Sequence, residues 1–349
     1  MSVFLRMYRG ETKFDFVELS KRTLMVSLTL VVLSLLIMVI RPFNLSIDFT
    51  GGVIVTVENR ENASVVDIRA DLREIGSADA RVQITGDGFI TVQTEALGAE
   101  EMDILVVTVA DTAGVTIDDA NVSAVGPTFG AEVTRRAIQA LVVFLFVVSL
   151  FITWRFEWKM AVAALTALLH DLIITAGLYA LVGFTVTPAT IIAVLTILGY
   201  SLYDTVVVLD KVTENVADMH ERSTYSGIVN QSMNQVLMRS VNTSMTSLLP
   251  VGSLLLVGVL AIGAETLQQF ALALFIGMTI GTYSSIFVAA PILARWKGTE
   301  PEWRRQIRRS GRTGGELAAT PKAEQEKAPF VPPPPTAAAR PPKQRRKRR

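Results

Sequence analysis

Polar and apolar positions along the chain fall into long blocks. Thr23 to Ile40 (TLMVSLTLVVLSLLIMVI) is free of charge and ends at Arg41-Pro42, and Ala137 to Trp154 is a second such block, closed by Arg155. Each is close to the roughly 20 apolar residues a helix needs to cross a ~30 Å hydrocarbon layer. From Met160 the sequence stays apolar to Tyr203, interrupted by His170-Asp171 and by GFTVTP, whose Gly183 and Pro188 mark a turn. That pattern predicts an antiparallel pair of spans over Met160 to Val182 and Pro188 to Leu209. Ser240 to Ala264 and Thr266 to Ala294 are uncharged on either side of Glu265 and make a second pair, which brings the expectation to six spans. The first block exceeds the apolar core of about 7 to 15 residues in a cleaved leader and no A-x-A site follows it, so it is expected to remain as a helix.

The segment between the first two blocks has shorter periods. LSIDFTGGVIVTVE (Leu45 to Glu58) reads as a β run, with Gly51-Gly52 at a bulge or a close backbone approach. In SVVDIRADLREIG, Ser64 and Asp67 have capping-box spacing, Val65, Ile68, Leu72 and Ile75 share one face, and Gly76 is the stop, which predicts a helix. RVQIT and FITVQT flank Gly86-Asp87-Gly88, the chemistry of a hairpin turn. Ala99 to Gly114 opens with acids and ends in glycine, a second helix, and VTIDDANVSAVG supplies a last strand. The β-α-β-β-α-β order predicts a ferredoxin-like unit. The expected fold class is therefore an α-helical membrane protein with six transmembrane helices and a small α+β extracytoplasmic domain.

Charge supplies the orientation. Arg6, Arg9, Lys13, Lys21 and Arg22 precede the first span, Arg155 and Lys159 lie between the second and third, and a basic tail follows the sixth, so these segments are expected in the cytoplasm. Residues 41–136 hold sixteen Asp and Glu against seven Lys and Arg and are expected outside. Arg135 and Arg136 run against the rule locally, but a folded domain translocates regardless of its charge. The divisions are residues 1–22 (cytoplasmic), 23–40 (first span), 41–136 (extracytoplasmic domain), 137–294 (five spans with a cytoplasmic loop over 211–238) and 295–349 (tail). The loop reads as an amphipathic helix that either connects spans or offers a partner surface. The tail, with PFVPPPP and QRRKRR, cannot bury a core and is expected to be disordered. It reads as an orientation signal before it reads as a contact for anionic lipid or ribosomal RNA, and no specific nucleic acid is implied. The overall charge of +1 conceals this split.

The candidate chemistry lies in charges placed among apolar residues. An Asp at the centre of a spanning helix costs about 2.5 to 3.5 kcal/mol on insertion scales, so it needs a partner or water. Asp204 ends an uncharged run from Leu172 to Tyr203, with Val206, Val207 and Val208 after it. Tyr200 and Ser201 precede it by four and three residues, on its face, and are expected to hydrogen-bond it. Arg239 opens the fifth span at a matching depth, and an Asp204–Arg239 pair is expected. Arg239, Asn242, Thr243 and Thr246 follow the spacing of one helix face and are expected to form a polar stripe. His170 and Asp171 lie about 15 Å beyond Lys159 at 1.5 Å per residue, near the midplane, with Thr175 a turn further on. Together these ionisable residues favour a proton or ion pathway over mere helix locking. An enzyme is not expected: there is no G-x-x-x-x-G-K-[ST] loop, no H-E-x-x-H and no cysteine. His170 and His220 are the only histidines, which excludes a multi-histidine metal site.

IDFTGG after the first span, VGPTFGAEVTRRAIQA before the second, LTALLHD in the third, LGYSLYDTVVVLDKVTEN in the fourth and MRSVNTSMTSLLPV in the fifth occur in that order. With them the chain resembles the SecD/SecF family of bacterial protein-export membrane proteins, over about Phe43 to Ala294. The resemblance implies a SecF-type six-span subunit of the cytoplasmic membrane with cytoplasmic termini. It implies a SecD partner and work beside the SecYEG channel and the SecA motor on exported preproteins, among membrane lipids. No cofactor is implied, since the family, part of the resistance-nodulation-division superfamily, draws on the proton gradient. By the motif match Asp204 and Arg239 would lie in the proton path, and Asp48, Gly51 and Gly52 belong to the family motif. Leu202-Tyr203 stands where the family pattern has Ile-Asn, which changes the hydrogen bonding beside the carboxylate. The rival expectations are half of a small-molecule or lipid exporter of the same superfamily, and a passive assembly scaffold.

Overall fold

The structure is a computed structural model and describes residues 14–84, 88–219, 223–257 and 265–303. The leading residues 1–12 and Lys13, the Gly86-Asp87 tip of the hairpin, His220 and the tail from residue 304 lie outside the described residues.

Helix α1 (Phe16–Ile40) starts seven residues before the apolar block, because Asp15 caps it by accepting the N–H of Glu18. It buries Phe16, Ser20, Ser27 and Ser34, so its seam is a row of serines seven residues apart, while most of its leucines face outward. Small residues at a seven-residue spacing let a neighbour approach closely at a shallow angle. That neighbour is α6 (Trp158–Val182), where a Cβ built on Gly177 would stand 2.3 Å from the Ser34 Cβ.

The sequence between α1 and the small domain is not one β run. β1 (Asn44–Leu45) is followed by a single helical turn, α2 (Ile47–Thr50), and only then by β2 (Gly52–Glu58). Ser46 caps α2 by accepting the Asp48 N–H, and Gly51, at φ 74°, ends it. The remaining elements are α3 (Val65–Glu74), β3 (Arg81–Ile84), β4 (Phe89–Thr94), α4 (Ala99–Ala113) and β5 (Asn121–Val125). Their order from β2 is β-α-β-β-α-β, and the four strands lie in the order β3-β4-β2-β5, all neighbours antiparallel. Val53, Val55, Val57, Ile90 and Val92 alternate onto one sheet face and close a core with Ile68 and Leu72 of α3 and Leu105 and Val109 of α4.

Among the described residues, six helices are long and apolar enough to cross a membrane. They are α1, α5 (Pro127–Arg155), α6, α7 (Pro188–Met219), α8 (Tyr225–Val257) and a rod made of α9 (Glu265–Ser284), a π turn (Ser285–Ala289) and α10 (Ala290–Lys297). The apolar stretches of α6 and the sixth-span rod are the most enclosed by protein, 50% and 56% buried, and those of α1, α5 and α8 the least, 11% each. α5 starts ten residues ahead of its apolar block, and on this extension Arg135 and Arg136 both pair with Glu132, at 2.7 Å each.

One further expectation is corrected here. Residues 211–238 do not form a separate helix, since α7 runs on to Met219 and α8 already starts at Tyr225. The two arms hold each other through Val212, Ile228 and Val229, all fully buried, and through the Asn215 amide, which donates to Ser232 Oγ (2.7 Å) and Gln235 Oε1 (2.8 Å). The sixth span is not uninterrupted α-helix. Pro291 lacks an N–H and its ring excludes the carbonyl four residues back, and the π turn before it absorbs the mismatch.

Candidate functional site

The buried polar side chains collect where α6, α7, α8 and the sixth-span rod meet. α6 contributes His170 and Asp171, α7 contributes Ser201, Asp204 and Thr205, α8 contributes Ser240 and Ser244, and the rod contributes Ser284 and Ser285, with the half-buried Thr282 and Tyr283 beside them. Ser201 and Thr205, like Ser240 and Ser244, are four apart and therefore share a helix face.

Asp171 is fully buried and fully bonded. Its Oδ2 accepts from Ser201 Oγ (2.5 Å) and Ser284 Oγ (2.8 Å), and its Oδ1 lies 3.0 Å from His170 Nδ1. The His170 ring stacks on Tyr283 at 6.3 Å, and the Tyr283 hydroxyl continues to Thr23 O (3.3 Å) and Ser27 Oγ (3.1 Å) of α1. His170 Nε2 is buried without a hydrogen-bond partner.

Asp204 is different. It is only 6% exposed, its Oδ1 accepts from Ser240 Oγ at 2.7 Å, and its Oδ2 is buried with no hydrogen-bond partner. The Ser285 hydroxyl faces the same carboxylate and also lies 3.1 Å from Thr205 Oγ1. An acid in a dry setting with one oxygen unanswered has room to hold a proton there, whereas Asp171 already has a partner on each oxygen.

The expected Asp204–Arg239 pair is not formed. The Arg239 side chain is exposed and reaches sideways to Tyr203, donating from Nη2 to the phenol oxygen at 2.9 Å with its guanidinium 5.9 Å from the ring centre. Tyr203 therefore supplies the contact that Arg239 makes. The expected polar stripe also lies on the wrong side of α8. Asn242 and Thr246 are exposed and Thr243 half-buried, and the two threonines donate to their own helix, Thr243 to Arg239 O (2.7 Å) and Thr246 to Asn242 O (2.9 Å). The inward stripe is one position on, at Ser240 and Ser244, because Val229, Met233, Val236 and Leu237 fix the rotation of the helix by their burial. Tyr200 packs with the apolar cluster around Ile197 and Leu274, and Ser201 bonds Asp171 instead of Asp204.

Ser240, Ser284, Ser285 and Thr205 were not singled out by sequence reasoning. A usable signal existed for one pair: SS at 284–285, a few residues before Pro291, marks hydroxyls at a break in the helical ladder.

Asp48, Gly51 and Gly52 lie apart from the carboxylates, at the foot of the small domain. Asp48 Oδ2 accepts from Ser46 Oγ at 2.7 Å. A Cβ on Gly52 would stand 2.2 Å from Thr94 O, and one on Gly51 2.8 Å from Pro127 Cα, so the glycine pair is where β4 and the start of α5 press onto the chain leaving α1.

Comparison with known proteins gives the same assignment from two segments. Residues 106–299 match the model described as protein export membrane protein SecD/SecF, C-terminal, and residues 36–58 match the SecD/SecF GG motif. The chain is 39% identical over 299 residues to the protein translocase subunit SecF of Streptomyces coelicolor, covering 85% of this chain and 80% of that one. It is 40% identical over 348 residues to the SecF subunit of Mycobacterium tuberculosis, covering 94% and 78%. Among solved structures it is similar to SecDF from Thermus thermophilus, a translocon-associated membrane protein, with a TM-score of 0.75 at 35% identity, covering 83% of this chain and 39% of that longer one. The chain belongs to the SecD/SecF family of protein-export membrane proteins.

Proposed function

We propose that this chain is the SecF-type half of a proton-driven export motor in the bacterial cytoplasmic membrane. Its partner is a SecD subunit, and together they act beside the SecYEG channel and SecA on exported preproteins in late translocation. The SecD assignment is supported by the likeness to SecDF, of which this chain covers 39%. The β-α-β-β-α-β unit with strand order β3-β4-β2-β5 is a ferredoxin-like domain on the extracytoplasmic side, and both termini are cytoplasmic. The chain is not an enzyme, and its energy source is the proton gradient. One charge crossing the membrane yields roughly 2.3 kcal/mol per 100 mV, enough to bias two helix packings.

One observation carries this reading: the free, buried Oδ2 of Asp204, in a carboxyl that no cation neutralises directly. Proton uptake there removes a charge from the interface of α7, α8 and the sixth-span rod, and the packing of these helices responds. Asp171, with every oxygen answered, acts as the fixed knot between α6, α7 and the rod, and His170 orients it.

The test is Asp204→Asn in proteoliposomes holding the full complex. The amide keeps an oxygen for Ser240, so the variant is expected to insert and to assemble. Export stimulated by an imposed proton gradient is expected to fall at least tenfold. Undiminished gradient-driven export would refute the proton role, and recovery of full activity in Asp204→Asn with Arg239→Leu would favour a passive scaffold.

A further inference from the structure

The proton reading leaves one charged group without an explanation: Arg239 points away from the carboxylate it was expected to neutralise. We infer that Tyr203 is a docking post for Arg239, holding the guanidinium off Asp204 while Asp204 is protonated and releasing it to the carboxylate once the proton leaves. The inference rests on Asp204 being the proton carrier and adds the residue that sets where the counter-charge sits.

The geometry supports two seats for one side chain. Tyr203 and Asp204 are consecutive on α7, so Tyr203 points outward while Asp204 points in, and Arg239 and Ser240 are likewise consecutive on α8. The inward pair is joined by Ser240 Oγ to Asp204 Oδ1 at 2.7 Å, and the outward pair by Arg239 Nη2 to Tyr203 Oη at 2.9 Å, with the ring under the cation at 5.9 Å. The outward seat gives Arg239 a neutral acceptor and an aromatic face but no counter-charge. A guanidinium of this kind is held by a modest interaction, so a carboxylate within the reach of its long side chain competes with it. In the outward seat Arg239 borders a cleft of about 340 Å³ beside Val206, Val207 and Val236, so protein does not close over it there.

Other charges do not supply the missing partner. On the helices packed around this region, α6 carries His170 and Asp171, which bond each other, and the rod carries Tyr283, stacked on His170. In the cleft Arg155 pairs with Asp210 and Lys211 with Glu214, at 2.7 Å each. Among the described residues Arg239 has no ion pair, and Asp204 is the buried carboxylate with an oxygen unanswered. The step is a proton exchange only: Asp204 gives up its proton to the path, the carboxylate gains a negative charge, and Arg239 moves from the phenol to that charge with no covalent bond made or broken elsewhere.

The experiment compares Tyr203→Phe with the parent in the full complex in lipid nanodiscs. It follows the infrared band of the protonated carboxyl that Asp204→Asn abolishes, as a function of pH. Phenylalanine keeps the ring and removes the acceptor, so the outward seat weakens and the charged pair is favoured. The band is expected to titrate roughly one pH unit lower than in the parent. In an Arg239→Leu background, Tyr203→Phe is expected to produce no further shift. Tyr203→Asn, which restores an acceptor, is expected to fall between parent and Tyr203→Phe. A midpoint that stays in place or rises in Tyr203→Phe overturns the inference, as does an equal shift in the Arg239→Leu background. Because the readout is a titration and not export, an inactive Tyr203 seat leaves the Asp204→Asn export test untouched, and a failed export test leaves the titration result standing.

Discussion

At the scale of single residues, identical side chains take different tasks according to how many partners they have. Asp171 and Asp204 are both buried aspartates on central helices, yet one has both oxygens engaged by Ser201, Ser284 and His170 and the other keeps Oδ2 without a hydrogen-bond partner. The sequence marks both as intramembrane acids and cannot separate them, because the separating hydroxyls come from other helices. Outside the membrane helices the same logic is local and legible. Ser64 and Asp67 form the capping box their spacing announces: Ser64 N–H and Oγ donate to Asp67 Oδ2 at 3.1 and 2.7 Å, and Asp67 N–H donates to Ser64 Oγ at 3.3 Å. The Ser64 hydroxyl, and then its backbone N–H, hold the Asp67 carboxyl below its ordinary value of 3.8. A carboxyl lowered in the folded state adds stability above its ordinary value and loses it as pH falls through the folded one. Ser64→Ala is therefore expected to speed hydrogen exchange in the first turn of α3 several-fold at neutral pH, relative to intrinsic rates. The gap should narrow only as pH falls from 3.8 through the lower folded value, where the parent's carboxyl takes up its proton as well. A gap that persists into strong acid would show that the hydroxyl acts without the carboxylate.

At the scale of elements, hydrophobic blocks reveal that helices exist but not which face turns inward. The seam of α1 shows why. Its leucines and valines invite reading as a core, but they face outward, and the interior contact is made by Ser20, Ser27 and Ser34. In a membrane apolar side chains gain nothing by leaving lipid, so close approach of backbones decides the interface. The same rule accounts for the stripe on α8, where Asn242 and Thr246 face outward and Ser240 and Ser244 face in. The contact of Gly177 with Ser34 makes the argument testable. A Cβ at Gly177 would meet not only the Ser34 side chain but its Cα, at 2.7 Å, so rotamer changes cannot relieve the clash and α1 must shift. Gly177→Ala is expected to destabilise the α1–α6 contact by about 1 to 3 kcal/mol. In detergent this should appear as a lower melting temperature, with α1 cleaved by protease sooner than in the parent. Adding Ser34→Gly should return part of the loss. If Gly177→Ala is as stable as the parent, the two helices cross with more slack than the Gly177–Ser34 distances imply.

At the scale of the whole molecule, the question is how events at Asp204 reach a domain on the far side of α1. The helices carrying the two aspartates, α6 and α7, are joined by the turn that contains β6 (Thr185–Val186), and β6 pairs in parallel with β1, Asn44 with Thr185 and Leu45 with Val186. Two-residue strands have no periodicity, so nothing in the sequence announced this pairing. The structure ties the joint further: Arg41 Nη1 donates to Leu181 O (2.7 Å), Asn44 Nδ2 to Gly183 O (3.2 Å) and Ser46 N to Val186 O (2.9 Å). On the other side Gln93 of β4 donates to Leu45 O (3.3 Å) and Thr134 of α5 to Phe49 O (3.3 Å), so the same few residues grip the small domain and the second span. A joint bonded on both sides transmits displacement as a rigid link and does not need to open. The chain has no cysteine, which allows a clean test with Asn44→Cys and Thr185→Cys. The Asn44 amide already lies 3.1 Å from Thr185 Oγ1, and neighbouring strands at ~4.8 Å fall within the Cα separation of about 4.4 to 6.8 Å that a disulfide accepts. The oxidised double variant is expected to retain gradient-driven export at close to the reduced rate. If oxidation stalls export and reductant restores it, the β1–β6 joint opens during the cycle, and the coupling between the aspartate helices and the domain is a latch instead of a strut.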